Sequence, residues 1–200
     1  MSTAVEVRYT PEQYLALERK AEFKSEYIDG GIYPMSGARS PHIDVVAALV
    51  RLIGTWLVDR PGHVYSNDMR VYAGPAGLFT YPDVVVVAGE PRFQDDEFDT
   101  LLNPTVIIEV LSPSTEVYDR GDKFVRYRRL DSLREYVLAS QERVLVERYV
   151  RRGDDWVLTE FSSLDDVLRL DSIGCDMPLR QIYAKTPLSE IRPPRDEARS

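Results

Sequence analysis

A chain of 200 residues, 44% hydrophobic and 29% charged, is long enough to bury one substantial core. No apolar run in it reaches the roughly 18 residues that would span a bilayer. A net charge of −8, from 25 Lys and Arg against 33 Asp and Glu, excludes non-specific coating of nucleic acid, so any contact with DNA must be local.

The single cysteine, Cys175, leaves no internal disulfide and no second thiol for a zinc knuckle. The N-terminus lacks a basic segment followed by an apolar one, so no secretory signal is expected and a cytoplasmic setting is.

In chain order, Thr10-Pro11-Glu12-Gln13 reads as a helix start, with Thr as N-cap, Pro at the first helical position and Gln placed for a capping box. This helix fades near Glu22. Ser25 to Tyr33 reads as a hairpin around Asp29-Gly30-Gly31. Ser40-Pro41-His42 opens a second helix that runs to about Asp59, with Ile43, Val46, Ala47, Val50, Ile53 and Leu57 at helical spacing. His63 to Tyr72 reads as one strand, firmest at its end, and residues 74–77 as a turn. Tyr81 to Val87 and Val106 to Leu111 read as buried strands, separated by a loop too acidic to be core. A helix follows from about Glu116 to Leu130, then a strand from Glu135 to Ala139. A hairpin spans Glu142 to Phe161. One helical turn is expected near Leu179 to Tyr183 in an otherwise irregular remainder, and residues 189–200 read as a disordered charged tail. The order predicts an α/β fold: one mixed sheet with helices on its faces and an added C-terminal β-hairpin, in a single domain over residues 1–188.

Two carboxylates interrupt the greasy strands. Asp83 heads the Val84-Val85-Val86-Val87 run, and Glu109 lies inside Val106-Ile107-Ile108-Glu109-Val110-Leu111. Burying an ionised acid is costly unless a partner or a metal offsets it. Magnesium accepts a sparse oxygen shell of one or two carboxylates with several waters, and manganese suits the same ligands. Asp83, Glu109 and the carbonyl of Val110 would make such a shell. Lys123 falls beside the stripe Val117, Phe124, Tyr127, Leu130 and can reach back toward the Glu109 strand, where an ammonium would stabilise charge on a transferring phosphoryl group. His42, in the first turn of the second helix, has the chemistry to bind phosphate, relay a proton or assist a metal.

Each residue also has a plainer reading. Asp83 can close a turn at a strand start. Glu109 can face water or pair with Arg70. Lys123 can pair with Asp119 at i, i+4, and His42 can be a surface histidine hydrogen-bonded to the hairpin.

Pro82-Asp83 followed by Glu109-Val110-Leu111 resembles the PD-(D/E)XK nuclease superfamily, whose second half usually reads acid-any-lysine. More closely, the chain resembles the Uma family of restriction-endonuclease-like proteins. The likeness rests on Tyr9 to Leu15, Glu26 to Gly30, Met35-Ser36 with His42, Tyr81 to Val84, Ile108 to Ser114, Asp122-Lys123, Tyr127 and Arg134 to Leu138. It implies a restriction-endonuclease-like core, Asp83 and Glu109 as metal ligands, and Lys123 in place of the lysine missing at Leu111. It further implies Glu26 as the counterpart of the superfamily's first-helix acid. Tyr81 stands where that family often has Arg. The activity implied is magnesium-dependent hydrolysis of DNA, by a chain expected to pair as a homodimer through the Arg143 to Phe161 hairpin. The alternative is a catalytically inactive nuclease-like module that binds protein or nucleic acid.

Overall fold

The computed structural model describes residues 7–74 and 77–188, so the expected tail at 189–200 and the centre of the expected 74–77 turn lie outside it. Helix α1 (Pro11–Glu18) opens as anticipated: the Thr10 side chain accepts from the Gln13 N–H and the Gln13 side chain from the Thr10 N–H. It stops at Glu18, short of Glu22. Strands β1 (Ser25–Ile28) and β2 (Gly31–Pro34) then pair antiparallel. Their turn sets Asp29 at φ 48° and Gly30 at φ 97°, the positive values that a tight hairpin of this twist needs.

Helix α2 (Ser40–Leu57) has Arg39 at its N-cap with no side-chain cap. Its buried stripe is Val45, Leu49, Ile53 and Leu57, while Ile43 is 54% exposed. The buried face is therefore rotated from the expected Ile43, Val46, Val50 stripe, because so many of the helix's residues are apolar that periodicity alone does not select the inward ones.

The expected strand at 63–72 is two: β3 (His63–Ser66) and β4 (Arg70–Tyr72), which belong to different sheets. Next come β5 (Leu78–Thr80), β6 (Val84–Val87), β7 (Thr100–Leu101) and β8 (Val106–Leu111). In place of one continuous helix the chain then forms α3 (Glu116–Tyr118), a π-helical turn (Asp119–Lys123) and α4 (Phe124–Tyr127). Strands β9 (Glu135–Ser140), β10 (Val146–Arg152) and β11 (Asp155–Phe161) follow, then, in place of the expected irregular stretch, a hairpin of β12 (Val167–Leu170) and β13 (Cys175–Pro178). Helix α5 (Leu179–Ile182) occupies the expected turn.

Two mixed sheets replace the one expected. The larger has the order β11-β10-β9-β8-β6-β3 and the smaller β2-β1-β5-β4-β7. Within the larger, β8 and β9 are parallel and β6 runs antiparallel to β8. Alternation splits its residues between two cores. Val84, Val86, Val106, Ile108 and Val110 pack on α2 and on the β12–β13–α5 segment. Val85, Val87, Ile107 and Leu111 meet Phe124, Tyr127 and residues of the smaller sheet. Both faces are covered, which is why β6, and β8 apart from Glu109, read as continuous apolar runs. The β10–β11 hairpin extends this sheet, and its Tyr149 and Trp156 pack on Phe124.

The loop after β6 is less peripheral than its acidity suggests. Arg19 pairs with Asp95 at 2.7 Å and with Asp99 at 2.8 Å, and buried Arg70 reaches Asp99 at 3.2 Å. Arg70 is therefore engaged here rather than with Glu109. The Arg19 hydrogen bond, against the opposing effect of burial and aided by Thr100 and Arg70, lowers the Asp99 carboxyl to about 2. Its folded value lies below the unfolded one, so this stabilisation is complete above about pH 4 and is lost as pH falls toward 2. Asp99→Asn should lower stability at pH 7 by up to about 2 kcal/mol and flatten the acid limb of a urea-unfolding series between pH 4 and 2. An unchanged limb would show that the clamp contributes nothing.

Candidate active site

The chain crosses between the two sheets at Tyr81-Pro82-Asp83, from β5 of the smaller to β6 of the larger. Tyr81 is an anchor at this crossing. Its hydroxyl accepts from Arg70 Nε at 3.0 Å and donates to Glu18 at 2.9 Å, which leaves it buried and committed within the protein. Asp83 lies one residue before the β6 ladder begins and opposite Glu109 across the continued register. Each acid is tied to the other's strand: Asp83 Oδ2 accepts from the Val110 N–H at 2.7 Å, and the Asp83 N–H donates to Glu109 Oε2 at 3.4 Å. The two expected acids are brought together. Val110 joins them through its N–H.

Glu26 arrives from β1 of the smaller sheet and accepts a hydrogen bond from the Thr80 hydroxyl. Lys123 comes from the π-helical turn. Its Nζ lies 3.1 Å from Glu109 Oε1, 3.3 Å from Glu26 Oε1 and 3.3 Å from Asp119 Oδ1. The plainer Asp119–Lys123 pairing is thus present as well, as one contact of three. A π turn inserts about one extra residue per turn and so rotates what precedes it. Val117, placed on the inward stripe by regular spacing, is 86% exposed, whereas Asp119 and Lys123 are 3% and 6% exposed.

His42 does not bond to the hairpin; its Nε2 lies 2.9 Å from Asp83 Oδ1. Tyr127 donates to Glu109 Oε1 at 3.0 Å. Thr80 and Asp119 join the cluster in addition to the expected residues. Thr80 carried no usable signal, since its place beside Glu26 is a cross-strand relation.

Electrostatics follow from burial. Desolvation raises the Glu109 carboxyl to about 8; Lys123 opposes this, and Asp119 and Asp83 add to it. Asp119 is raised mainly by burial too, against Lys123. Burial works against the Lys123 ammonium, but Glu109, Glu26 and Asp119 outweigh it and hold its pKa well above the ordinary value, so it stays charged. Four carboxylates thus share one ammonium and one imidazole.

That excess of buried oxygen charge fits a hard divalent cation. Among the described residues no group of three or more His, Cys, Asp or Glu side chains is arranged to hold a metal, and Asp83 and Glu109 stand as a pair of facing carboxylates. Cys175 lies elsewhere, buried, its thiol pushed up to about 11 first by burial and then by Asp176. No described helix is long and apolar enough to cross a membrane.

The fold and the sequence both have counterparts among known proteins. A solved structure, "Crystal structure of a putative nuclease belonging to DUF820" from Anabaena variabilis, superposes with a TM-score of 0.70 over 86% of this chain and 96% of that one, at 19% identity, a likeness of fold. The chain is 40% identical over 152 residues to "Uncharacterized protein sll1609" of Synechocystis, covering 76% of this chain and 86% of that protein. It is 33% identical over 177 residues to "Uncharacterized protein slr1290" of the same organism, covering 88% and 92%. The family model Uma2, described as "Putative restriction endonuclease", matches residues 11–180, and with that span covered the chain belongs to the Uma2 family.

Proposed function

We propose that this protein is a magnesium- or manganese-dependent endonuclease acting on DNA, with Asp83, Glu109 and the Val110 carbonyl as metal ligands. The observation that carries the reading is the convergence on the crossing between sheets: two acids hydrogen-bonded to each other's strands, and a charged lysine 3.1 Å from one of them. When bound, the metal would supply an activated water and neutralise the phosphate. The chain's own residues do the rest. Lys123 presents a permanently charged ammonium to the phosphoryl oxygens, where charge grows during in-line displacement. Glu26 and Asp119 hold that ammonium in place, Glu26 being fixed in turn by Thr80. Tyr127 fixes one oxygen of Glu109, and His42 orients Asp83 from the first turn of α2.

A homodimer in the cytoplasm would place one such site on each strand of a duplex. A second reading has its own support. The Glu109 oxygens already accept from Lys123, Tyr127 and the Asp83 N–H, a closed network that could serve as structure in an inactive binding module.

Cleavage of supercoiled plasmid decides between them. Wild type should nick and linearise it with magnesium or manganese and not with EDTA, and Glu109→Ala should be at least about 100-fold slower, beyond the loss typical of second-shell partners. Equal activity in wild type and variant would mark a contaminant, and no cleavage under any metal would leave the binding module.

A further inference from the structure

At the opposite ends of β6, β8 and β9 from the acid cluster lies a groove of about 720 Å³. It opens between Ala88 after β6, Thr105 before β8 and Glu135 at the start of β9, about 13 Å from Glu109 along β8 at 3.3 Å per residue. Its volume is that of a small-molecule site. Three guanidiniums line it. Arg151 is fixed, its Nε donating to the Leu133 carbonyl at 2.9 Å and its Nη2 to those of Arg128 and Leu130 at 2.6 and 2.9 Å. Burial, and then the nearby charge of Arg134, hold Arg151 below its ordinary value. The side chains of Arg92 and Arg134 are exposed and take no hydrogen bond or ion pair among the described residues. Asp171 also lines the groove but is held by Arg148 at 3.3 Å, so the two unpartnered guanidiniums beside the fixed Arg151 suit an anion.

Deeper in, the demand reverses. Glu135 is 1% exposed. Its Oε1 accepts from the Ser172 N–H and hydroxyl, but its Oε2 has no hydrogen-bond partner, the nearest cation being Arg148 Nη1 at 3.7 Å. The Ser132 hydroxyl, also in the lining, is buried without a partner. Oε2 thus has the charge of Arg148 nearby but no hydrogen bond, and a buried acceptor without one is costly and rare. A ligand that suits both ends carries an anionic group outward and a hydrogen-bond donor inward. Bare phosphate would satisfy the arginines and leave Glu135 Oε2 without a hydrogen bond; a neutral nucleoside would do the reverse.

We propose that this groove is a second binding site, separate from the acid cluster, for a small phosphate monoester bearing an amino or hydroxyl donor, with nucleoside monophosphates as the class that meets both demands. The phosphate takes the Arg92 and Arg134 forks, which match its geometry. The donor reaches Glu135 Oε2 and Ser132.

Calorimetric titration of the intact protein with AMP, adenosine and inorganic phosphate tests this. AMP should bind at least about tenfold more tightly than either fragment, and the double variant Arg92→Ala, Arg134→Ala should lose at least about tenfold while melting like wild type. Glu135→Gln should narrow the gap between AMP and phosphate. Asp83→Asn should bind AMP as wild type does, which separates this groove from the acid cluster whatever that cluster's activity proves to be. AMP binding no tighter than phosphate, or unaltered in the double arginine variant, or lost in Asp83→Asn, would overturn the proposal.

Discussion

Lys123→Met should destabilise the protein by about 3–5 kcal/mol at pH 7, the cost of removing one partner from a buried ionic cluster. The substitution keeps much of the side chain's length and packing, so the loss reports charge. Glu109, Glu26 and Asp119 would then face one another without the ammonium that now lies within 3.3 Å of each. Glu109 already sits far above the usual carboxylate range because of burial, with Lys123 the main opposing influence. Without that cation it rises further.

The sign of the pH dependence follows. A carboxyl whose folded pKa exceeds its unfolded value binds more protons folded than unfolded, so stability falls as pH rises through the unfolded value of about 4.3 toward the folded one. Wild-type Glu109, at about 8, and the variant's carboxyl, higher still, both keep their proton between pH 5 and 7, so Glu109 adds nothing to the deficit there. Above about pH 8 the wild-type carboxyl ionises while the variant's stays protonated, so the deficit should grow between pH 7 and 9. Urea unfolding of both proteins at pH 7 and 9 measures it, and a deficit of equal size at both would mean that the ammonium does not set the Glu109 proton.

Asp83→Asn should cut metal-dependent DNA cleavage by at least about 100-fold while leaving the fold nearly intact. The amide oxygen can still accept from Val110 N–H, so the stability cost is about 1 kcal/mol, the difference between a charged and a neutral acceptor. What disappears is half of the paired carboxylate charge that would hold the cation. Metal binding is read separately from turnover. At a magnesium concentration 100 times its dissociation constant, wild type should gain about 2.7 kcal/mol and melt roughly 5–10 °C higher, and the variant should gain far less. Equal magnesium stabilisation of both would show that the ion binds somewhere other than beside Asp83. Because the thermal shift needs no substrate, it also tests the metal site in a protein that cleaves nothing.

The sequence by itself determined the elements whose causes are local. Thr10 and Gln13 cap α1, Asp29-Gly30 turns the first hairpin, and the apolar runs of β6 and β8 announce strands covered on both faces. It also marked Asp83 and Glu109, since a carboxylate in such a run is anomalous wherever the strand ends up. Tertiary structure decided which partners those acids meet. Glu26 reaches the site from a different sheet, and His42 reaches it from a helix some forty residues earlier in the chain. The division of residues 63–72 between two sheets, and the rotation of α2, were settled by packing, because several faces were apolar enough to serve.

Lys123 shows the boundary most clearly. Regular helical spacing put it near the edge of the inward stripe, and the π turn carried it wholly inside with Asp119. A π turn has no residue signature of its own. It persists here because three acids, converging from a strand of each sheet and from the turn itself, share one ammonium at the seam between the sheets.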